Sequence, residues 1–160
     1  MATMANEQSQ DKLFDRGRAF AAVGDSTRAE EYLAAALQRG ADPAKVIPVL
    51  LDVCIRDGRY RSAIFYAENH LRTHPADVPT RFVLGTLYAA IGEGPRAKEH
   101  LERVVEAKPN EARAHYALAV LMRDQQDPVG ADRHFREYLR LAPDGSHAEE
   151  ARASLLTRMP

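Results

Sequence analysis

The sequence has no tryptophan and a single cysteine, Cys54. A lone thiol cannot close an internal disulfide, so a disulfide-stapled secreted scaffold is excluded. Neither sign of charge dominates. The formal net charge is −1, and no global field draws the chain to nucleic acid or to an anionic membrane. No apolar run approaches the ~20 residues that span a bilayer. The stretch Met1 to Gln10 is polar and lacks the apolar core of a secretory signal. These absences point to a cytoplasmic protein without membrane insertion. Catalytic signatures are missing too: there is no HExxH motif, no CxxC pair, and no glycine-rich phosphate loop after a strand. The sequence therefore predicts no catalytic residue, no metal site and no cofactor.

What is present is ordinary in bulk and regular in order. Hydrophobic residues make up 45% and charged residues 28% of the 160 positions, as in a soluble domain with a real core. Arginine outnumbers lysine 18 to 4, a bias common in GC-rich bacterial genomes. Written in rows of 34 from Gln10, the chain gives rows 10–43, 44–77, 78–111 and 112–145, and several columns align. The twentieth column reads Ala29, Ala63, Ala97, Ala131, and the eighth Gly17, Leu51, Gly85, Ala119. The eleventh reads Phe20, Cys54, Tyr88, Met122, and the twenty-fourth Leu33, Ala67, Leu101, Phe135. The fifteenth reads Gly24, Gly58, Gly92, Gln126, and the thirty-second Ala41, Pro75, Pro109, Pro143.

These columns have physical meaning. Two apolar stripes at helical spacing in each row predict two helices. The glycine column between them supplies a helix stop. Small residues in columns 8 and 20 allow close approach of the two backbones. Proline in column 32 ends the second helix, because it cannot continue the hydrogen-bond ladder. Asp77 and Asn110 are the expected caps of the next first helices, and Pro95 and Pro128 suit the first turns of second helices.

Residue types and spacing resemble the tetratricopeptide repeat, whose pattern runs W-x2-L-G-x2-Y, then A-x3-F, then P. The third row carries it best, through Leu84-Gly85, Tyr88, Ala97, Leu101 and Pro109. The second departs most, with Leu51 at the glycine position and Ala67 at the aromatic one. The resemblance implies an all-α fold: a right-handed superhelical solenoid of antiparallel helix pairs. Residues 1–9 are expected to form a flexible tail. Residues 146–160 are expected to form a capping helix, with Ser146 and Glu149 as its capping box and Ala148, Ala151, Leu155 and Met159 as its apolar stripe.

In this family the first helices line a concave groove that holds protein segments, through columns 2, 5, 9, 12 and 13. Column 5 reads Phe14, Pro48, Phe82, Tyr116, an apolar ladder on a surface that packing does not require to be apolar. Arg18, Asp52 and Thr86 follow in column 9, Arg123 in column 12 and Arg56 in column 13. Aromatic residues and arginine are the types enriched at interfaces. The expected partner is a protein or peptide segment with apolar anchors and some acidic residues, and stacking of solenoid ends would give self-association. One ligand class is disfavoured. The carboxylate clamp for chaperone C-termini needs lysine and asparagine where the first repeat has Phe14 and Arg18, and basic residues where the third has Pro79 and Val83.

Other clusters read as structure. Cys54 lies in a packing column. His70 and His74 lack the third ligand of a zinc site. Arg133, Arg136 and Arg140 form an outer face with Asp132 and Glu137 among them. The leading reading is an adaptor or scaffold module. The alternative is a small bacterial secretion or assembly chaperone that shields apolar client segments, although such chaperones typically carry three repeats. An enzyme would need polar groups converging on one pocket, and the sequence shows none.

Overall fold

The computed structural model describes the backbone of residues 2–157 and the side chains of residues 9–157. All regular structure among them is helical: α1 (Ala2–Ala22), α2 (Ser26–Gln38), α3 (Pro43–Arg56), α4 (Tyr60–Thr73), α5 (Val78–Ala90), α6 (Gly94–Ala107), α7 (Ala112–Asp124), α8 (Pro128–Leu141) and α9 (Ala148–Ala153). The chain divides into two compact units, Met1–Ala76 and Asp77–Pro160. In the first unit α1 packs on α2, α2 on α3 and α3 on α4. In the second α5 packs on α6, α6 on α7, α7 on α8 and α8 on α9.

The turn column explains why each pair closes in the same way. Gly24, Gly58 and Gly92 have φ of 79°, 70° and 81°, the left-handed region that glycine enters without a Cβ penalty. The residue that follows each one returns its N–H to the carbonyl of column 11: Asp25 to Phe20 (3.0 Å), Arg59 to Cys54 (2.8 Å) and Glu93 to Tyr88 (2.9 Å). This is the bond pattern that satisfies the orphan carbonyls at a helix end. Gln126 keeps the geometry in the fourth row, at φ 62°, and Asp127 donates to the Met122 carbonyl at 2.8 Å. The second helices end differently. α4, α6 and α8 each stop two residues before a proline, Pro75, Pro109 and Pro143, whereas α2 stops at Gln38, two residues before Gly40 at φ 90°, in the row that has Ala41 instead of proline.

The cores follow the columns. Ala29, Ala63 and Ala97 are fully buried and Ala131 is 3% exposed. A Cβ placed on Gly17 would lie 2.7 Å from Leu33 Cγ and 3.2 Å from the Leu33 backbone nitrogen. One on Gly85 would lie 2.9 Å from Leu101 Cγ. The close approach of column 8 is thus to column 24, with the alanines of column 20 packed alongside.

Three expectations need correction. Residues 2–9, expected as part of a tail, are helical, since α1 begins at Ala2. Alanine, methionine, glutamate and glutamine continue the helix at low cost once its first turns exist. Ser9 and Gln10 also tie α1 to the end of α2, through Arg39 Nη1 to Ser9 Oγ (3.2 Å) and Gln10 Nε2 to the Arg39 carbonyl. α7 starts after Glu111 rather than Asn110, without a side-chain cap bond. Asp77 does cap α5, accepting from Thr80 N at 3.1 Å.

The third correction concerns α9. Its N-cap is His147, without a side-chain cap bond, so the Ser146 capping box does not form. The reason lies in α8. The Tyr138 hydroxyl accepts the His147 N–H at 3.1 Å, and the His147 ring stacks on Tyr116 at 3.9 Å. Both contacts fix the chain one residue past the predicted start. Ala148 and Ala151 are buried and Leu155 is half-buried, while Met159 lies outside the described residues.

Candidate functional site

In the first unit α1 and α3 touch, so two first helices lie side by side. Phe14 is half-buried, and the Arg18 guanidinium sits 5.6 Å from its ring centroid. That is cation–π range. Pro48 is exposed inside α3, where it removes the amide that would bond the Ala44 carbonyl. Asp52 and Arg56 are exposed and paired, 3.0 Å apart. Together with Ala21, Gly24, Ser26 and Asp57 they line a recess of about 300 Å³ between the ends of α1 and α3. Phe14 with Arg18, and Asp52 with Arg56, thus form two local groups rather than one.

In the second unit α5 and α7 touch in the same way. Phe82 is half-buried, with the Arg113 guanidinium 4.8 Å from its centroid. Arg113 belongs to column 2, a groove column, yet its pairing with Phe82 crosses between repeats and has no local sequence signal. Thr86 donates to the Val83 carbonyl at 2.8 Å, which satisfies its hydroxyl within α5. Tyr116 is half-buried and Arg123 exposed, and both bond to α9 and the residue that follows it. Tyr116 donates to Glu150 at 2.7 Å, and Arg123 reaches Glu150 at 3.3 Å and Ser154 at 3.1 Å. Burial, then the bond to Glu150, push the Tyr116 hydroxyl up to about 12. That bond in turn holds the Glu150 carboxyl below its ordinary value. Sequence reasoning missed His147 and Glu150, since their partners lie some thirty residues away on another helix.

The remaining clusters are structural. Cys54 is fully buried, and burial, then the Glu30 carboxylate, push its thiol up to about 11. Reactivity needs exposure and a depressed pKa, so this thiol is inert in the folded state. His70 and His74 stack at 4.5 Å, and no group of three or more His, Cys, Asp or Glu side chains among the described residues could hold a metal. Arg136 bonds Asp132 at 2.8 Å and Arg140 bonds Glu137 at 2.9 Å, so two of the three outer arginines are paired on their own helix. No helix among the described residues is long and apolar enough to cross a membrane.

A family model described as "Tetratricopeptide repeat" matches residues 55–121. Over that stretch the chain is similar to the tetratricopeptide repeat. The match starts at Ile55 in α3 and ends at Leu121 in α7. Among curated proteins, the Protein CTR9 homolog of Arabidopsis thaliana is 26% identical over 114 residues, which is 69% of this chain and 10% of that protein. The chain thus spans about a tenth of the length of the curated relative it matches. Among solved structures, a tetratricopeptide repeat protein from Parabacteroides merdae matches at TM-score 0.83 and 23% identity, over 92% of this chain and 59% of that one. YrrB, described as a tetratricopeptide repeat protein with an unusual peptide-binding site, matches at 0.78 and 19%, over 92% and 76%. The Cut9–Hcn1 hetero-tetramer of the APC/C matches at 0.74 and 21%, over 92% and 30%. At these identities the tetratricopeptide structures share the fold with this chain.

Proposed function

We propose that the chain is a non-catalytic adaptor that holds a segment of another protein against the first helices of its tetratricopeptide repeats. The observation that carries this reading is the pair of half-exposed phenylalanines, Phe14 and Phe82, each with an arginine over its ring. Such rings offer large rigid area at low conformational cost, and the arginines beside them attract carboxylates. The expected ligand therefore combines an apolar anchor with acidic residues. Solved relatives with the same fold include a protein with a peptide-binding site and a subunit of a multiprotein assembly, which supports the reading. The proposal includes a bacterial, cytoplasmic setting, on the arginine bias and the single cysteine.

The test is selection of peptides from a random display library on the purified chain, followed by affinity measurement with Phe14→Ala and Phe82→Ala combined. Each lost aromatic anchor should cost about 1–2 kcal/mol, so affinity should fall at least tenfold for the pair. Unchanged affinity in a folded double variant would refute the assignment of these helices as the binding face.

A further inference from the structure

Helix α9 lies on the surface of α7 and α8 that includes two residues of the proposed binding face, and its contacts show what that surface takes. The His147 ring stacks on Tyr116 at 3.9 Å with an interplanar angle of 11°. Three residues on, Glu150 accepts from the Tyr116 hydroxyl at 2.7 Å and from Arg123 at 3.3 Å. Beside each of them an alanine, Ala148 or Ala151, is buried. The segment therefore presents a ring, a small residue, a carboxylate and a second small residue along one side of a helix.

That segment is weakly held. α9 has six residues, and a helix so short has little stability of its own. It buries only alanines among its own residues. Its ion pair joins side chains that are each 42% exposed, and exposed pairs contribute little. Past its end, Leu156 N bonds Asp132 at 2.8 Å and Arg136 reaches the Leu156 carbonyl at 3.3 Å, both at exposed sites. Elements with so few apolar contacts open at low free energy.

We propose that α9 is a displaceable occupant, and that the surface of Tyr116 and Arg123 takes a helical partner segment bearing a ring followed three residues later by a carboxylate. This deepens the adaptor reading and rests on it, since it names the chemistry of the partner at the last repeat.

The experiment uses the full chain and a fluorescein-labelled synthetic peptide of residues 143–157. The peptide should bind the His147→Ala, Glu150→Ala double variant at least tenfold more tightly than the unaltered chain, because the variant's own segment competes less. Adding Tyr116→Ala should abolish that gain. Equal binding to variant and unaltered chain, or a gain that survives Tyr116→Ala, would overturn the proposal. Hydrogen exchange on the unaltered chain gives an independent reading that needs no variant. The amides of Ala151 and Ser154 should exchange at least a hundredfold faster than those of Leu121 and Phe135. Equal protection would mean that α9 opens only with its whole unit, and would overturn the proposal. A concentration-dependent dimer lost in the double variant would assign the surface to a second copy and overturn the partner reading. Failure of the Phe14 and Phe82 test leaves all of these readouts unaffected, so the two claims fail separately.

Discussion

Acid should weaken the second unit through one pair of rings, and the size of the effect can be worked from its geometry. His115 on α7 and His134 on α8 face each other with Nδ1 to Nδ1 at 3.0 Å, and His115 Nε2 lies 2.8 Å from the Pro109 carbonyl. A carbonyl only accepts, so His115 carries a proton on Nε2, and with neutral rings His134 is the donor from Nδ1. Burial, followed by the His115 ring and Arg133, lowers His134 from the ordinary 6.5 to about 4, against the smaller opposing pull of Glu137 and Asp127. The folded pKa is depressed, so the contribution is fully present above pH 6.5. It is lost as pH falls toward 4, because the unfolded chain takes up a proton that the folded chain refuses. Between pH 7.5 and pH 5 the linkage amounts to roughly 2 kcal/mol at most, and solvent screening at a half-buried ring brings the expectation to about 1–2 kcal/mol. With an m-value of about 2 kcal/mol/M, the urea midpoint should drop by about 0.5–1 M over that range. The assay is urea unfolding at both pH values, followed by circular dichroism, for the unaltered chain and for His134→Gln. Glutamine can still donate to His115 but does not titrate, so the variant should lose most of the pH step. Identical pH steps in the two proteins would refute the reasoning.

Other consequences can be checked directly. Gln126→Gly relieves a side chain at φ 62° and should stabilise the chain by up to about 1 kcal/mol, read as a higher thermal midpoint. Gly17→Ala drives a Cβ to 2.7 Å from Leu33, which is fully buried and cannot move aside, so it should cost about 1–3 kcal/mol in denaturant unfolding. Cys54, fully buried with its thiol pushed up to about 11, should react with a disulfide reagent only as fast as the first unit opens, and at once in denaturant.

Much of the fold was legible because each repeat solves the same local problem. Gly24, Gly58 and Gly92 mark turns that need positive φ, and Ala29, Ala63 and Ala97 mark points with no room for a larger group. Such constraints act on single positions and leave a column in the sequence. The ends were less legible. Residues 2–9 lack an apolar stripe, yet good helix formers extend an existing helix without one. Ser146 and Glu149 match a capping box, but Tyr138 and Tyr116, on other helices, capture His147 first. The candidate face shows the same division. The apolar character of Phe14 and Phe82 was visible in one column, whereas the arginine over Phe82 and the carboxylate on Tyr116 come from other helices. Periodicity reports what a helix shows to its surroundings, not which distant side chain meets it.

An amide chemical-shift titration of the labelled chain with a library-selected peptide locates the binding face. The largest changes should fall on α1, α3, α5 and α7, around Phe14, Arg18, Phe82 and Arg113. Changes confined to α2, α4, α6 and α8, for example around Leu37, Phe65 and Tyr66, would contradict that placement.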